Sequence, residues 1–261
     1  MLFKDQLNRS ISLEENPQRI ISLVPSQTEL LVDLGLENRL VGITKFCVHP
    51  RYLRKTMAVV GGTKQVNLDK IKALEPDLII CNKEENTKEI VANCESIAPV
   101  WVSDIATVDD SLDMILRLGS LTGVDHEARQ LITTIRSQKA KFDNFMEGKT
   151  TLKVAYLIWK KPYMAAGFGT FIDALLTLNC LENIISKTRY PEIDIDDLKD
   201  SDVILLSSEP YPFKQTDIDE LQKLVPSKVI LVDGEYFSWY GSRLQHAFKY
   251  FKKINEHLRP V

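Results

Sequence analysis

The stretch RIISLVPSQTELLVDLGLENRLVGIT, Arg19 to Thr44, carries a complete strand–helix–strand period. Arg19 to Val24 is a short β-branched run and predicts a strand. Ser26, with Glu29 three residues on, fits a capping box and predicts a helix running to Gly35. Leu40 to Ile43 predicts a second strand. This is the repeating unit of a parallel sheet with helices on its faces.

The same alternation extends outward. Asn67 to Leu74 predicts a short helix stopped by Pro76, followed by strands at Asp77 to Cys81 and Val100 to Val102, with helices near 86–94 and 108–122. Residues 125 to 147 are rich in Lys, Gln and Arg and hold no Gly or Pro before Gly148. As one helix they span about 35 Å, a rod long enough to join two lobes. Beyond it, Leu152 to Trp159, 202–206 and 228–232 predict strands, and 170–178, 215–224 and 241–257 predict helices. The two sides echo each other. LLVDLGLENRL (30–40) matches LLTLNCLENII (175–185), and KIKALEPDLII (70–80) matches DDLKDSDVILL (196–206), in the same order. The expected architecture is α/β: two similar lobes with central parallel sheets (1–124 and 149–261), bridged by a helix at 125–148. Ligands of such sheets sit outside the carboxyl ends of the strands, here in a cleft between lobes.

Composition removes whole classes of function. The 261 residues are 44% apolar and 26% charged, with 33 Lys and Arg against 36 Asp and Glu. A net charge of −3 gives no general pull toward nucleic acid or an anionic membrane. Mean hydropathy is −0.13, and no stretch approaches the roughly 18 apolar residues of a membrane span. The N-terminus has no apolar core after a basic start, so the chain reads as cytoplasmic or as lacking its leader. Cys47, Cys81, Cys94 and Cys180 form no CxxC pair or zinc-ribbon spacing. HExxH, GxSxG and HxE…PCxxC are all absent, so no enzyme template is matched.

Several residues at expected strand ends have chemistry to offer. In Thr44-Lys45-Phe46-Cys47-Val48-His49-Pro50, Cys47 and His49 point the same way if the segment is extended, and thiolate with imidazole suits a transition metal or a corrin cobalt. The alternative is that Cys47 packs and His49 hydrogen-bonds beside the Pro50 turn. Gly61-Gly62-Thr63-Lys64 is a glycine turn without the P-loop pattern, and Gly62 is either a backbone requirement or a ligand contact. Aromatics trail three strands: Trp159 and Tyr163, then Tyr211 and Phe213, then Phe237, Trp239 and Tyr240. Flat apolar walls of this kind suit a large planar ligand. Arg243 follows, placed to hold an amide or carboxylate. Glu84, Glu85 and Glu209 lie just past strand ends.

RIISLVPSQTELLVDLGLENRLVGIT with GGTKQVNLDKIKALEPDLIIC (61–81) resembles the N-terminal lobe of class III periplasmic substrate-binding proteins. These are the helical-backbone receptors for vitamin B12, siderophores, haem and some metals that serve ABC importers. SSEPYPF (207–213) and DGEYFSWYGSRL (233–244) resemble the cobalamin-receptor-like branch. The resemblance implies ligand contacts from Ser26, Phe46 and Gly62, from Phe168 in the loop Gly167-Phe168-Gly169, and from the aromatics above. It also implies an Arg near position 243 facing the ligand. Glu84 or Glu85, with Glu209, would dock onto arginines of a dimeric permease.

The function expected is a monomeric, non-enzymatic binding protein of an ABC importer in the cell envelope. Its ligand would be cobalamin or another corrinoid, haem, a ferric siderophore or a metal ion, with no cofactor required. The alternatives are an unexported corrinoid- or metal-binding protein, or a metal-dependent enzyme, each using Cys47 and His49 as ligands.

Overall fold

The computed structural model describes residues 1–259, which divide into two compact units that are not contiguous in sequence. Unit 1 comprises Met1–Ile105, Asp109–Ile135 and Tyr240–Arg243; unit 2 comprises Ala106–Val108, Arg136–Trp239 and Leu244 onward.

In unit 1, β1 (Leu2–Lys4) and β2 (Ser10–Ser12) form an antiparallel hairpin. The sheet core begins with β3 (Ile20–Ser22), then α1 (Pro25–Asp33), β4 (Leu40–Ile43), α2 (Leu53–Thr56) and β5 (Ala58–Val59). It continues through α3 (Leu68–Ala73), β6 (Leu78–Asn82), α4 (Lys88–Glu95), β7 (Val100–Ser103) and α5 (Val108–Thr122). The five strands lie in the order β5-β4-β3-β6-β7, all parallel. Every residue of β3, β6 and β7 is buried, which is why these strands read as apolar runs rather than as alternation. Ile21, Leu23, Ile79 and Val102 pack with Ile71, Ile90 and Cys94 of α3 and α4 in one cluster.

The rod expected over 125–147 is α6 (Asp125–Met146), and the division between units runs through it at Ile135 and Arg136. Gly148 follows at φ +73°, a conformation that ends a helix easily only at glycine.

Unit 2 opens with β8 (Leu152–Trp159), β9 (Met164–Ala165), α7 (Phe171–Leu178) and β10 (Leu181–Asn183). It closes with β11 (Val203–Ser207), α8 (Gln215–Leu221), β12 (Lys228–Val232), α9 (Glu235–Ser238) and α10 (Leu244–Leu258). The order β10-β8-β11-β12 is parallel throughout, with β9 added antiparallel to β8. It matches β4-β3-β6-β7 of unit 1, so the two sequence echoes are a repeated topology. One device recurs with it. Asp77, just before β6, accepts hydrogen bonds from the backbone N–H of Gln18 and Arg19 at 2.6 and 2.9 Å. Asp202, just before β11, accepts one from Lys153 at 2.7 Å. Each carboxylate pins the start of the neighbouring strand.

The capping box expected at Ser26 and Glu29 does not form. Pro25 occupies the first helical position, with extended Val24 as the cap residue. Ser26 therefore sits inside the first turn, and the Glu29 carboxylate turns to Arg243.

Candidate functional site

In unit 2 the candidate residues divide sharply by exposure. Trp159 ends β8, a strand whose interior is buried, and emerges 40% exposed. Its ring meets Tyr211 edge-on at 5.6 Å, and Tyr211 meets Phe213 at 4.7 Å. Tyr163 is half-buried against the same core that holds Phe213. Phe168 is the most exposed of the set, at 64%. Backbone pairing holds its loop: Gly167 N–H donates to Arg189 O at 2.8 Å and Phe168 N–H to Lys187 O at 2.9 Å. A Cβ at Gly167 would lie 2.0 Å from Lys187 O, so only glycine permits this approach. The loop then presents a large apolar ring to solvent.

Phe237, expected on the ligand wall, is fully buried, with ring centroids 5.2 Å from Tyr156 and 4.9 Å from Phe251. It offers no surface to a ligand. Trp239 is also buried, and its indole N–H donates to Glu209 Oε1 at 2.9 Å. Ser238 Oγ donates to the same oxygen at 2.5 Å. Burial pushes the Glu209 carboxyl above its ordinary range, against the pull of these two donors.

In unit 1 the candidates gather in two groups. Phe46, 49% exposed, lies against Gly62: a Cβ at Gly62 would come within 3.1 Å of the Phe46 ring. Lys45 Nζ stands 5.0 Å from that ring's centroid. The second group surrounds α1. Ser26 and Tyr240 are buried, and Gln27 Nε2 approaches the Tyr240 hydroxyl at 3.4 Å. Gln27 Nε2 also donates to Ser103 Oγ at 2.5 Å, and Asn82 Nδ2 donates to the same oxygen at 2.9 Å. Arg243 makes a two-pronged pair with Glu29, Nε to Oε2 at 2.9 Å and an amino nitrogen to Oε1 at 2.6 Å. Burial raises the Glu29 carboxyl, while Arg243 and then His49 pull it down.

A turn at residues 45–46 precedes Cys47 and His49, and the two differ in exposure. Cys47 is fully buried beside Ile43 and Leu53, its sulfur 3.1 Å from Thr28 Oγ1 and 3.3 Å from Thr44 Oγ1. Burial raises its thiol pKa, against the pull of hydrogen bonds from Thr28 and Thr44. His49 is half-buried. Among the described residues, no three His, Cys, Asp or Glu side chains group as a metal site. No described helix is long and apolar enough to cross a membrane.

The acidic candidates follow β6 and β11. Glu84 lies two residues past Asn82, the last residue of β6, and Glu209 two past Ser207, the last of β11. Asn82 Oδ1 accepts from the backbone N–H of Glu84 at 2.7 Å and of Glu85 at 3.1 Å. Glu84 and Glu85 are both half-buried. The Gln27–Asn82–Ser103 network and the role of Glu29 are new in the structure. Their one trace in sequence is a polar run, SQTE, at the start of an otherwise apolar helix.

Comparison with known proteins gives a consistent picture. The profile of the family described as "Periplasmic binding protein" matches residues 20–231. The chain is 25% identical over 236 residues to the vitamin B12-binding protein of Pectobacterium carotovorum subsp. carotovorum (strain PC1), covering 87% of this chain and 84% of that protein. Among solved structures, it resembles the periplasmic vitamin B12 binding protein BtuF of Vibrio cholerae, with TM-score 0.81 and 19% identity over 94% of this chain and 99% of that one. It resembles the periplasmic heme-binding protein RhuT from Roseiflexus sp. RS-1 equally well in fold, with TM-score 0.81 and 18% identity over 92% and 98% of the two chains.

Proposed function

The chain belongs to the periplasmic binding protein family, and from that premise we propose that it binds a corrinoid and presents it to an ABC permease. The observation that carries the ligand class is the exposed aromatic set of unit 2, Trp159 and Phe168, backed by Tyr211. Exposed rings of this size are costly to leave in water and lose that cost under a flat apolar ligand. Phe46 of unit 1 offers a further ring of the same kind. Relatives named for vitamin B12 favour a corrin over other planar ligands. Binding is by stacking and shape, with Cys47 buried beside Ile43 and Leu53 rather than presented to a ligand. The ligand leaves chemically unchanged, as befits a family of binding proteins.

For the permease, the acidic residues in matching positions are Glu84 and Glu209, each two residues past its strand. Ser238 and Trp239 hold the Glu209 carboxylate in place, and charges at a docking surface set encounter rate and orientation more than affinity.

Titration of the purified protein with cobinamide and cyanocobalamin, by calorimetry and visible absorption, tests the ligand. Sub-micromolar affinity, with a cobalt band unshifted by thiolate, is the expected result. Trp159→Ala should weaken cobinamide about five- to thirtyfold, the loss of roughly 1–2 kcal/mol of aromatic contact. Haem binding tightly while both corrinoids fail would overturn the corrinoid assignment.

A further inference from the structure

The edge of the unit 2 sheet is open. β12 pairs with β11 on one side only, in register Val203 to Lys228 through Ser207 to Val232. Lys228 N–H donates to Asp202 O, and Val232 O accepts from Ser208 N–H, so the even-numbered residues face β11. In a parallel ladder the intervening residues, Val229 and Leu231, then direct their N–H and C=O groups outward. The Val229 N–H is taken by Gln222 Oε1 at 3.2 Å. Among the described residues, no hydrogen bond reaches Val229 O or the N–H and C=O of Leu231. The Leu231 side chain is itself 40% exposed. Alongside runs a groove of about 530 Å³ whose lining includes Ile218, Leu231, Ile254, Lys228 and Lys253 and, among the described residues, no acidic side chain.

The matching edge of unit 1 shows how such a strand is satisfied. β7 occupies the position of β12, and the segment after β1 covers it. Gln6 N–H donates to Val102 O at 3.3 Å, and Val102 N–H donates to Asp5 Oδ2 at 3.3 Å. Arg9 donates to Val100 O at 2.8 Å. The turn between β1 and β2, bearing the Asp5 carboxylate, thus closes one edge, and within the described residues the other has no such cover.

We propose that β12 is a strand-addition site for a partner protein: an extended segment with acidic and apolar side chains in alternation pairs with Val229 and Leu231. Its carboxylates meet Lys228 and Lys253, and its apolar side chains enter the groove. A second copy of this chain is a poor occupant, because its own β12, KVILV, brings no carboxylate to meet Lys228 and Lys253.

The test uses the full chain with two capped hexapeptides, one alternating valine and glutamate, the other valine and lysine. Binding is read by calorimetry and by amide shifts and exchange protection at Leu231. The glutamate peptide should bind and protect Leu231 N–H, and the lysine peptide should not. Leu231→Pro, which deletes the outward N–H, should abolish binding. Lys228→Glu with Lys253→Glu leaves the backbone intact and should weaken binding about tenfold or more. Both variants should keep native circular dichroism and cobinamide affinity, which separates this site from the ligand site. Failure of the glutamate peptide to bind, equal binding of the two peptides, or unchanged affinity in folded Leu231→Pro overturns the proposal. Dimerisation of the free chain through this edge also overturns it.

Discussion

Cys180 sits at φ +51°, in the left-handed region that L-residues avoid. In the echo of LLVDLGLENRL and LLTLNCLENII it takes the place of Gly35, which sits at +79°. Both residues end a helix and turn the chain toward the next strand, so the backbone demand is shared and only one copy meets it with glycine. Relief of the strain is worth about 1–2 kcal/mol, offset by about 0.5–1 kcal/mol of extra chain entropy that glycine brings to the unfolded state. Cys180→Gly should therefore stabilise the protein by roughly 0.5–1 kcal/mol in denaturant titration. Gly35→Ala is the complementary change: its added Cβ meets nothing within 4 Å, so any loss comes from the backbone alone. A destabilised Cys180→Gly protein would mean that the thiol packs usefully there.

The elements most legible in sequence are those whose burial is simple. β8 and β12 have the bounds expected, Leu152–Trp159 and Lys228–Val232, because each is a mostly apolar, β-branched-rich run of strand length. α6 was legible from its freedom from Gly and Pro. The β1–β2 hairpin was not, since two three-residue strands with mostly exposed side chains leave no periodic signal. Among the candidate ligand residues, the aromatics after strands include the exposed ring of Trp159, while Phe168 came only from the family resemblance. Composition could not tell Trp159 from Phe237, because an aromatic in a short helix looks the same whether it faces solvent or core. The ion pair of Glu29 on α1 with Arg243 just before α10 was beyond any local reading, its partners being 214 positions apart. Both side chains are mostly buried. Arg243→Leu strands the Glu29 carboxylate and should cost roughly 2–3 kcal/mol in urea unfolding, with Glu29→Leu/Arg243→Leu recovering part of the loss. Equal losses in the single and double variants would show that the packing of Arg243 matters, not its charge.

At the scale of the molecule, duplicated topology does not mean separable halves. Tyr240–Arg243 belongs to unit 1 although α9 and α10 on either side belong to unit 2. Within unit 1 this segment supplies Arg243 to Glu29, and Gly241 N–H donates to Ser111 Oγ at 2.9 Å. A fragment ending at Ile135 contains most of unit 1 but lacks these partners. It should show no cooperative transition in calorimetry, while the full chain shows one; a sharp transition in the fragment would show the segment to be dispensable.

That placement also orders events on the ribosome. Domains usually fold as they emerge, the first-made before the last. Here unit 1 waits for residues 240–243, so all of Arg136–Trp239 is translated before its final piece appears. Unit 1 stays incomplete through all of that synthesis, and whatever handles the nascent chain meets a sheet whose last partner segment has yet to arrive.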